Sequence, residues 1–370
     1  MAKVTQLHAY HEKHGKLTEF AGYEMPLWYT TTTDEHLAVR NTSGIFDVSH
    51  MGRFMVEGTQ AAAFLEGLVP TNVEPQPPGK AFYTLLLNER GGILDDLIIE
   101  RLNAESFMVV VNAANAGSDM QHMQAHASGS VGIEDMTAST AMIAVQGPKA
   151  SESLQRLTET DLSLLKRFRC AEIKVADRRC LVSRTGYTGE DGFEVVVYDA
   201  SNENPENAML VWDELAAVST PCGLGARDSL RLEAGFPLHG SDIDQNTDPY
   251  QADLAWVISA GKKGFIGYDA ISDPGSQRPS RIRRGLQLDS GIPRHGFGIT
   301  GPSGTLGTVT SGGFSPIIRK GIALCMVDNA HAGFGAKVGV EVREARQEGT
   351  ITKPPFYDEL LYGWKRQKGN

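Results

Sequence analysis

The chain has 370 residues, 41% of them hydrophobic and 22% charged, with a formal net charge of -10. That length exceeds what one core usually serves and fits two or three domains. The acidic balance argues against general nucleic-acid binding but leaves room for a local cationic pocket around a small anion.

Mixed helix and strand patterns fill the first three quarters of the chain. Thr31, Thr32 and Thr33 precede a segment with helical spacing through Arg40, and a threonine there can cap the helix. Residues 61–68 read as a second helix, and 106–111 as a strand. Further strands are predicted over 140–145, 179–183 and 192–198. Asn204 and Pro205 then open a helix with proline at its first position, and Ala208, Val211, Trp212 and Leu215 form its apolar stripe. A Pro/Gly/Ser-rich linker follows at 273–280. Beyond it lie short, glycine-punctuated, β-prone runs, including 285–288, 307–310, 321–324 and 338–342, which predict a small all-β barrel or sandwich. The fold class predicted for the whole is α+β.

Cys170, Cys180, Cys222 and Cys325 are widely spaced without a metal-binding pattern, so free thiols in a reducing compartment are expected. No apolar run is long enough to span a bilayer, and the first residues lack a signal-peptide core. A cytoplasmic protein without membrane or nucleic-acid partners is the expectation. His122 and His126 are four apart, but no glutamate follows the first and no third ligand is evident. His8, His11 and His14 share a helical face that reads as solvated. No metal site is expected from either set. The glycine-rich run at 333–339 has the wrong spacing for a dinucleotide loop and reads as a barrel turn.

The most informative stretch is Gly91-Gly92-Ile93-Leu94-Asp95-Asp96-Leu97-Ile98. It sets two adjacent carboxylates in an apolar, β-branched segment after a diglycine turn. On a strand the two side chains take opposite faces. One of them points into whatever the strand lines, and an unpaired charge held there is costly unless a cation or a donor answers it.

This run joins others: FDVSHMG at 46–52, VNAAN at 111–115, QGP at 146–148, SRTGYTGEDGFE at 183–194, GLGARDSLRLEAG at 223–235 and TSGGFSP at 310–316. Together, in this order, they resemble the aminomethyltransferase, or T-protein, family of the glycine cleavage system. The resemblance covers the chain end to end. It implies a three-domain cloverleaf around a central tetrahydrofolate site, with a C-terminal all-β barrel. The implied domains are 1–52 with about 137–235, about 53–136 with 236–275, and about 280–370. The implied reaction moves an aminomethyl group from the lipoyl arm of the carrier H-protein to tetrahydrofolate. Its products are 5,10-methylenetetrahydrofolate, ammonia and the dihydrolipoyl carrier. Tetrahydrofolate is the acceptor substrate, and neither metal nor flavin is implied, since the flavin-bearing relatives carry this module behind a further domain.

On the resemblance, Asp96 is the catalytic carboxylate, beside a transferred carbon that becomes cationic, and Asp95 is structural. Glu194 falls on the pterin-binding glutamate, where a carboxylate can pair with an amidine-like edge. Arg227 falls on a substrate-binding arginine suited to the folate carboxylates. Tyr187, Tyr83 and Met51 could wall an aromatic ligand, and Asn112 could hydrogen-bond it. Arg231 reads as structural. The basic runs 166–169, 281–284 and 319–320 read as solvated or as docking sites for an acidic carrier.

Two departures stand out. The family's arginine after the Lys-Pro-Phe-Tyr segment is replaced by Asp358, with Lys365 and Arg366 as possible stand-ins. His239-Gly240 stands where Tyr-Gly is usual. The alternative on this fold is a folate-dependent demethylase or methyltransferase for a small sulfonium or methylamine. Direct methyl transfer has less need of Asp96, so the intact Asp95-Asp96 pair favours the aminomethyl reaction. A folate-binding accessory protein of iron–sulfur maintenance is disfavoured because 263–267 (KGFIG) lacks that group's cysteine.

Overall fold

A computed structural model describes residues 2–302, 304–342 and 345–367. In chain order the elements begin with α1 (His8–His14), β1 (Lys16–Phe20), β2 (Tyr23–Trp28), α2 (Thr32–Asn41) and β3 (Gly44–Asp47). Next come β4 (Gly52–Glu57), α3 (Ala61–Leu68), β5 (Lys80–Leu87), β6 (Ile93–Arg101), β7 (Ser106–Val111), α4 (Ala116–His126) and β8 (Gly132–Asp135). The chain continues through β9 (Ala141–Gln146), α5 (Ala150–Gln155), β10 (Cys170–Val175), β11 (Arg178–Ser183), β12 (Gly192–Val197), α6 (Glu206–Ala216), β13 (Thr220–Pro221), α7 (Leu224–Ala234) and α8 (Tyr268–Ser272). It ends in β14 (Arg281–Leu288), β15 (Gly298–Gly301), β16 (Gly304–Ser315), β17 (Lys320–Asp328), β18 (Lys337–Val342) and β19 (Ala345–Thr352).

Local chemistry accounts for several boundaries. The Thr31 hydroxyl accepts from the Asp34 amide and so caps α2. The proline helix starts one residue later than the sequence suggests, with Pro205 as its cap, and it buries all four stripe residues. The diglycine has two separate causes. Gly91 sits at φ +82, a conformation that strains any L side chain. A Cβ on Gly92 would lie 1.9 Å from the Gln245 carbonyl oxygen. The β5–β6 turn therefore docks so closely on the segment after α7 that no side chain fits.

A β1–β2 hairpin, two larger antiparallel-rich sheets and a barrel organise these elements. One sheet runs β10-β11-β12-β9-β3-β13, the other β5-β6-β7-β4-β8, and β14-β17-β16-β15-β18-β19 close into a barrel. The first sheet packs one face on α5 and α6 through Ile143, Val195, Leu154 and Trp212. The second packs one face on α3 and α4 through Val109, Leu97, Leu65 and Met123. Their remaining faces meet each other through Phe46, Met142, Val196, Met108 and Val110, with Ala226 and Leu230 of α7 completing the layer. Helices thus lie outside and sheets inside, so central strands such as β9 hide both faces. The barrel carries its own core of Leu286, Val309, Val327 and Val340.

Buried polar groups fasten the units together. Arg40, fully buried, donates to Glu233 (2.8 Å), Glu190 (3.1 Å) and the Thr188 carbonyl (2.8 Å). Glu190 also accepts from Arg366 (2.8 Å), and Ser315 of the barrel donates to Glu233. One arginine therefore links α2, α7, the loop before β12, the barrel and the C-terminal segment.

The solvated histidine face does not form. His11 is completely buried, with Nε2 2.8 Å from Asp47 and Nδ1 2.7 Å from the Tyr29 hydroxyl. Burial alone would raise the Asp47 carboxyl, but hydrogen bonds from His11, Ser49 and Thr5 hold it well below the usual carboxylate range. His8 pairs with Glu24 at 2.6 Å. His122 and His126 lie along α4 with ring centroids 4.5 Å apart. Among the described residues no cluster of three or more His, Cys, Asp or Glu side chains could hold a metal ion. The four cysteines are free and buried, and no described helix is long and apolar enough to cross a membrane.

Candidate active site

Strand alternation sorts the two aspartates. Along β6 from Ile93 to Ile99 the odd positions are buried and the even ones partly open. Asp95 is 0% exposed and turns toward the N-terminus of α4. There it accepts from the Asn112 amide (2.9 Å), Asn112 Nδ2 (2.8 Å) and Asn115 Nδ2 (2.6 Å). Asp96 turns the other way, into a cavity of about 640 Å³ enclosed by both sheets, α7 and the barrel. Tyr83 donates to one of its oxygens (3.1 Å) and Asn112 Nδ2 to the other (2.9 Å).

All seven residues singled out in the sequence line this one cavity: Met51, Tyr83, Asp96, Asn112, Tyr187, Glu194 and Arg227. Glu194 comes from β12, opposite β6, and the Thr185 hydroxyl donates to it at 2.5 Å. Arg227 projects from the first turn of α7, with its guanidinium 4.9 Å from the centre of the Tyr187 ring. Its Nη1 is buried without a hydrogen-bond partner among the described residues. Arg227 forms none of the ion pairs found there; Arg231 is the one that pairs with Asp228 (2.7 Å) and with buried Asp242 (2.8 Å). Arg227 and Glu194 feel each other's charge, so the arginine belongs to the Glu194 end of the cavity.

Burial first, and the neighbouring Asp95 charge second, push the Asp96 carboxyl up to about 6. Tyr83 and Asn112 pull the other way because both donate to the ionised form. Tyr83→Phe removes one of those donors, so the acid limb of the pH–rate profile should move to higher pH; a limb that stays in place would contradict this. Asp119 on α4 is 1% exposed, and its Oδ2 has no donor. Burial and the neighbouring Asp95 charge raise its carboxyl strongly. Deeper between the sheets, Glu100 accepts from Ser183, and burial with the Glu194 charge nearby pushes it up to about 8.

Several lining residues escaped sequence reading. Arg167, Arg283 and Arg284, from basic runs expected to be solvated or to dock an acidic carrier, border the cavity together with Lys353. Arg284 pairs with Asp253 (3.1 Å), and Arg283 is spent on the Ala252 and Gly235 carbonyls (2.7 and 3.0 Å). Trp256 stands 68% exposed at the rim and stacks on Tyr83 with centroids 5.6 Å apart. The stand-ins for the missing C-terminal arginine point elsewhere: Lys365 pairs with Glu359 (2.8 Å) and Arg366 with Glu190 (2.8 Å).

The fold and this cavity define a mixed α+β protein with a carboxylate-bearing ligand site where three units meet. The sequence matches the family described as GCVT N-terminal domain over residues 7–262 and the glycine cleavage T-protein C-terminal barrel domain over 281–358. It is 43% identical to an aminomethyltransferase of Thermus thermophilus, covering 96% of this chain and 99% of that one. It is 39% identical to an aminomethyltransferase of Geobacillus thermodenitrificans, with the same coverage of 96% and 99%. The crystal structure of glycine cleavage system aminomethyltransferase T from Bartonella henselae superposes with a TM-score of 0.90 at 35% identity, over 96% of this chain and 98% of that one. The chain belongs to the glycine cleavage T-protein family of aminomethyltransferases.

Proposed function

We propose that this chain takes an aminomethyl group from the lipoyl arm of a carrier H-protein and delivers its carbon to tetrahydrofolate, releasing ammonia and the dihydrolipoyl carrier. The chain is a tetrahydrofolate-dependent aminomethyltransferase, and the demethylase alternative is not favoured. The observation that carries the site assignment is Asp96, held in the cavity by Tyr83 and Asn112, with Glu194 on the facing sheet.

The residues present fit a folate. Glu194 has one oxygen engaged by Thr185 and is suited to an amidine-like pterin edge. The shielded Nη1 of Arg227 lacks an acceptor, which a pterin carbonyl could supply. Met51, Ile98, Val110 and Tyr187 offer apolar and aromatic wall. Bound tetrahydrofolate supplies the amine nitrogens that accept the one-carbon unit. In this reading ionised Asp96 stabilises the positive charge that develops on the transferred carbon as ammonia leaves. Asn112 and Tyr83 fix its orientation, so little reorganisation is needed during transfer. The sheet make-up supports the proposed domains: 1–52 with about 137–235 contains β3 and β9–β13, about 53–136 contains β4–β8 and is grouped with 236–275, and about 280–370 contains the barrel. A cytoplasmic location is part of the same proposal.

Glu194→Gln tests the folate assignment. Loss of a charge-assisted pair should weaken tetrahydrofolate binding by about 10- to 100-fold, read by titration calorimetry. Unchanged affinity would remove Glu194 from the site.

A further inference from the structure

His239 lies outside the cavity, yet it is wired to the carboxylate that faces it. The segment carrying it docks on the start of β6, where Ile93 N donates to the Asp244 and Thr247 carbonyls (3.2 and 3.0 Å). His239 Nε2 is 3.1 Å from the Ile93 carbonyl oxygen, which can only accept. The ring proton is therefore on Nε2, and in the neutral imidazole Nδ1 is an acceptor. Asn115 Nδ2 lies 2.9 Å from that Nδ1 and 2.6 Å from Asp95 Oδ1. Both partners accept, so the amide orientation of Asn115 is determined. Asp95 in turn holds Asn112, and Asn112 Nδ2 donates to Asp96.

We propose that His239 is a positioning residue for the transfer reaction: its imidazole sets Asn115, and through Asn115 and Asp95 it sets Asn112, one of the two donors that hold Asp96. This rests on Asp96 being the reacting carboxylate. A protonated imidazole would present a donor on Nδ1 to the Asn115 donor. Flipping that amide would then turn its oxygen toward the Asp95 carboxylate. The ionisable groups facing Asp96 and Asp95 are Tyr83 from β5, Tyr187 from the loop before β12, Asp119 from α4 and His239 itself.

The test uses the full chain with lipoylated carrier and tetrahydrofolate, comparing His239→Phe, His239→Asn and Asn115→Ala. His239→Phe should lower kcat about 10-fold, leave folate affinity within about twofold, and move the Asp96 titration to higher pH. That titration is followed by carbon-labelled carboxyl NMR against Asp96→Asn. His239→Asn, whose side-chain oxygen can still accept from Asn115, should recover most of kcat. The double variant His239→Phe with Asn115→Ala should be no worse than either single change, because both cut one chain of bonds. A His239→Phe variant with wild-type kcat and an unmoved Asp96 titration would overturn the proposal. So would equal losses in the Phe and Asn variants, or losses that track folate affinity and melting temperature. If the wild type binds folate but transfers nothing from a competent carrier, the proposed donor fails, while the NMR titration still decides the role of His239.

Discussion

Asp96→Asn should lower kcat for aminomethyl transfer by about 10³-fold or more, while tetrahydrofolate affinity stays within a few-fold. The asparagine keeps the shape of the side chain but removes the charge that answers the developing cation. The same change should make the protein more stable at pH 7.5. The Asp96 carboxyl is raised from 3.8 to about 6 by burial and by Asp95. A raised acid contributes stability that is fully present below the unfolded value and is lost as pH rises through the folded value. Above pH 6 the ionised group is therefore a net cost. That cost is on the order of 1–2 kcal/mol once its contact with solvent in the cavity is allowed for. Calorimetry should find Asp96→Asn melting higher at pH 7.5, with the gap to wild type closing below pH 4. A variant that melts lower at pH 7.5 would contradict the electrostatic reading. Function and stability pull against each other at this position.

Arg40→Met should cost about 3–5 kcal/mol, the range for breaking a buried ion pair and leaving its partners uncompensated. Arg40 is fully buried between Glu190 and Glu233 and lies 4.5 Å from the Tyr357 ring. Burial alone would raise Glu233, yet the His36 hydrogen bond and the Arg40 charge hold it down at about 2. A depressed carboxyl contributes stability above its unfolded value that is lost as pH falls through the folded one. Without Arg40 that contribution shrinks, so the variant should also unfold at a higher pH during acid titration. Urea denaturation measures the first effect and an acid melt the second. Arg40→Lys keeps the charge but not the planar fork that reaches Glu233, Glu190 and Thr188 together, so it should fall between wild type and Met. A loss below about 1 kcal/mol in Arg40→Met would mean the clasp adds little.

Much of the α+β plan was legible, because its signals are local. Thr31 caps α2, the 208/211/212/215 stripe is a helical face, and the diglycine turn leads into an alternating strand. Alternation alone put Asp95 and Asp96 on opposite faces. It could not say which face holds the cavity, since that depends on a second sheet about a hundred residues away. The histidines near the N-terminus misled for the same reason: the partner that buries His11 is Asp47, 36 residues on. Arg167, Arg283 and Arg284 sit in basic runs that resemble any solvated surface, and only tertiary packing brings them to the cavity. Trp256 carries no periodic signal, and its stacking on Tyr83 is a tertiary event. His239 was visible as a departure from the family pattern, but its meaning came from two hydrogen bonds that close in the folded chain.

The most direct measurement is transfer run in reverse. The full chain is mixed with reduced lipoylated carrier, ammonia and 5,10-methylenetetrahydrofolate, and intact mass spectrometry follows the carrier. The carrier should gain one aminomethyl group catalytically, and should stay unmodified with Asp96→Asn. An unmodified carrier, with folate bound and the carrier proven competent with a known T-protein, would contradict it.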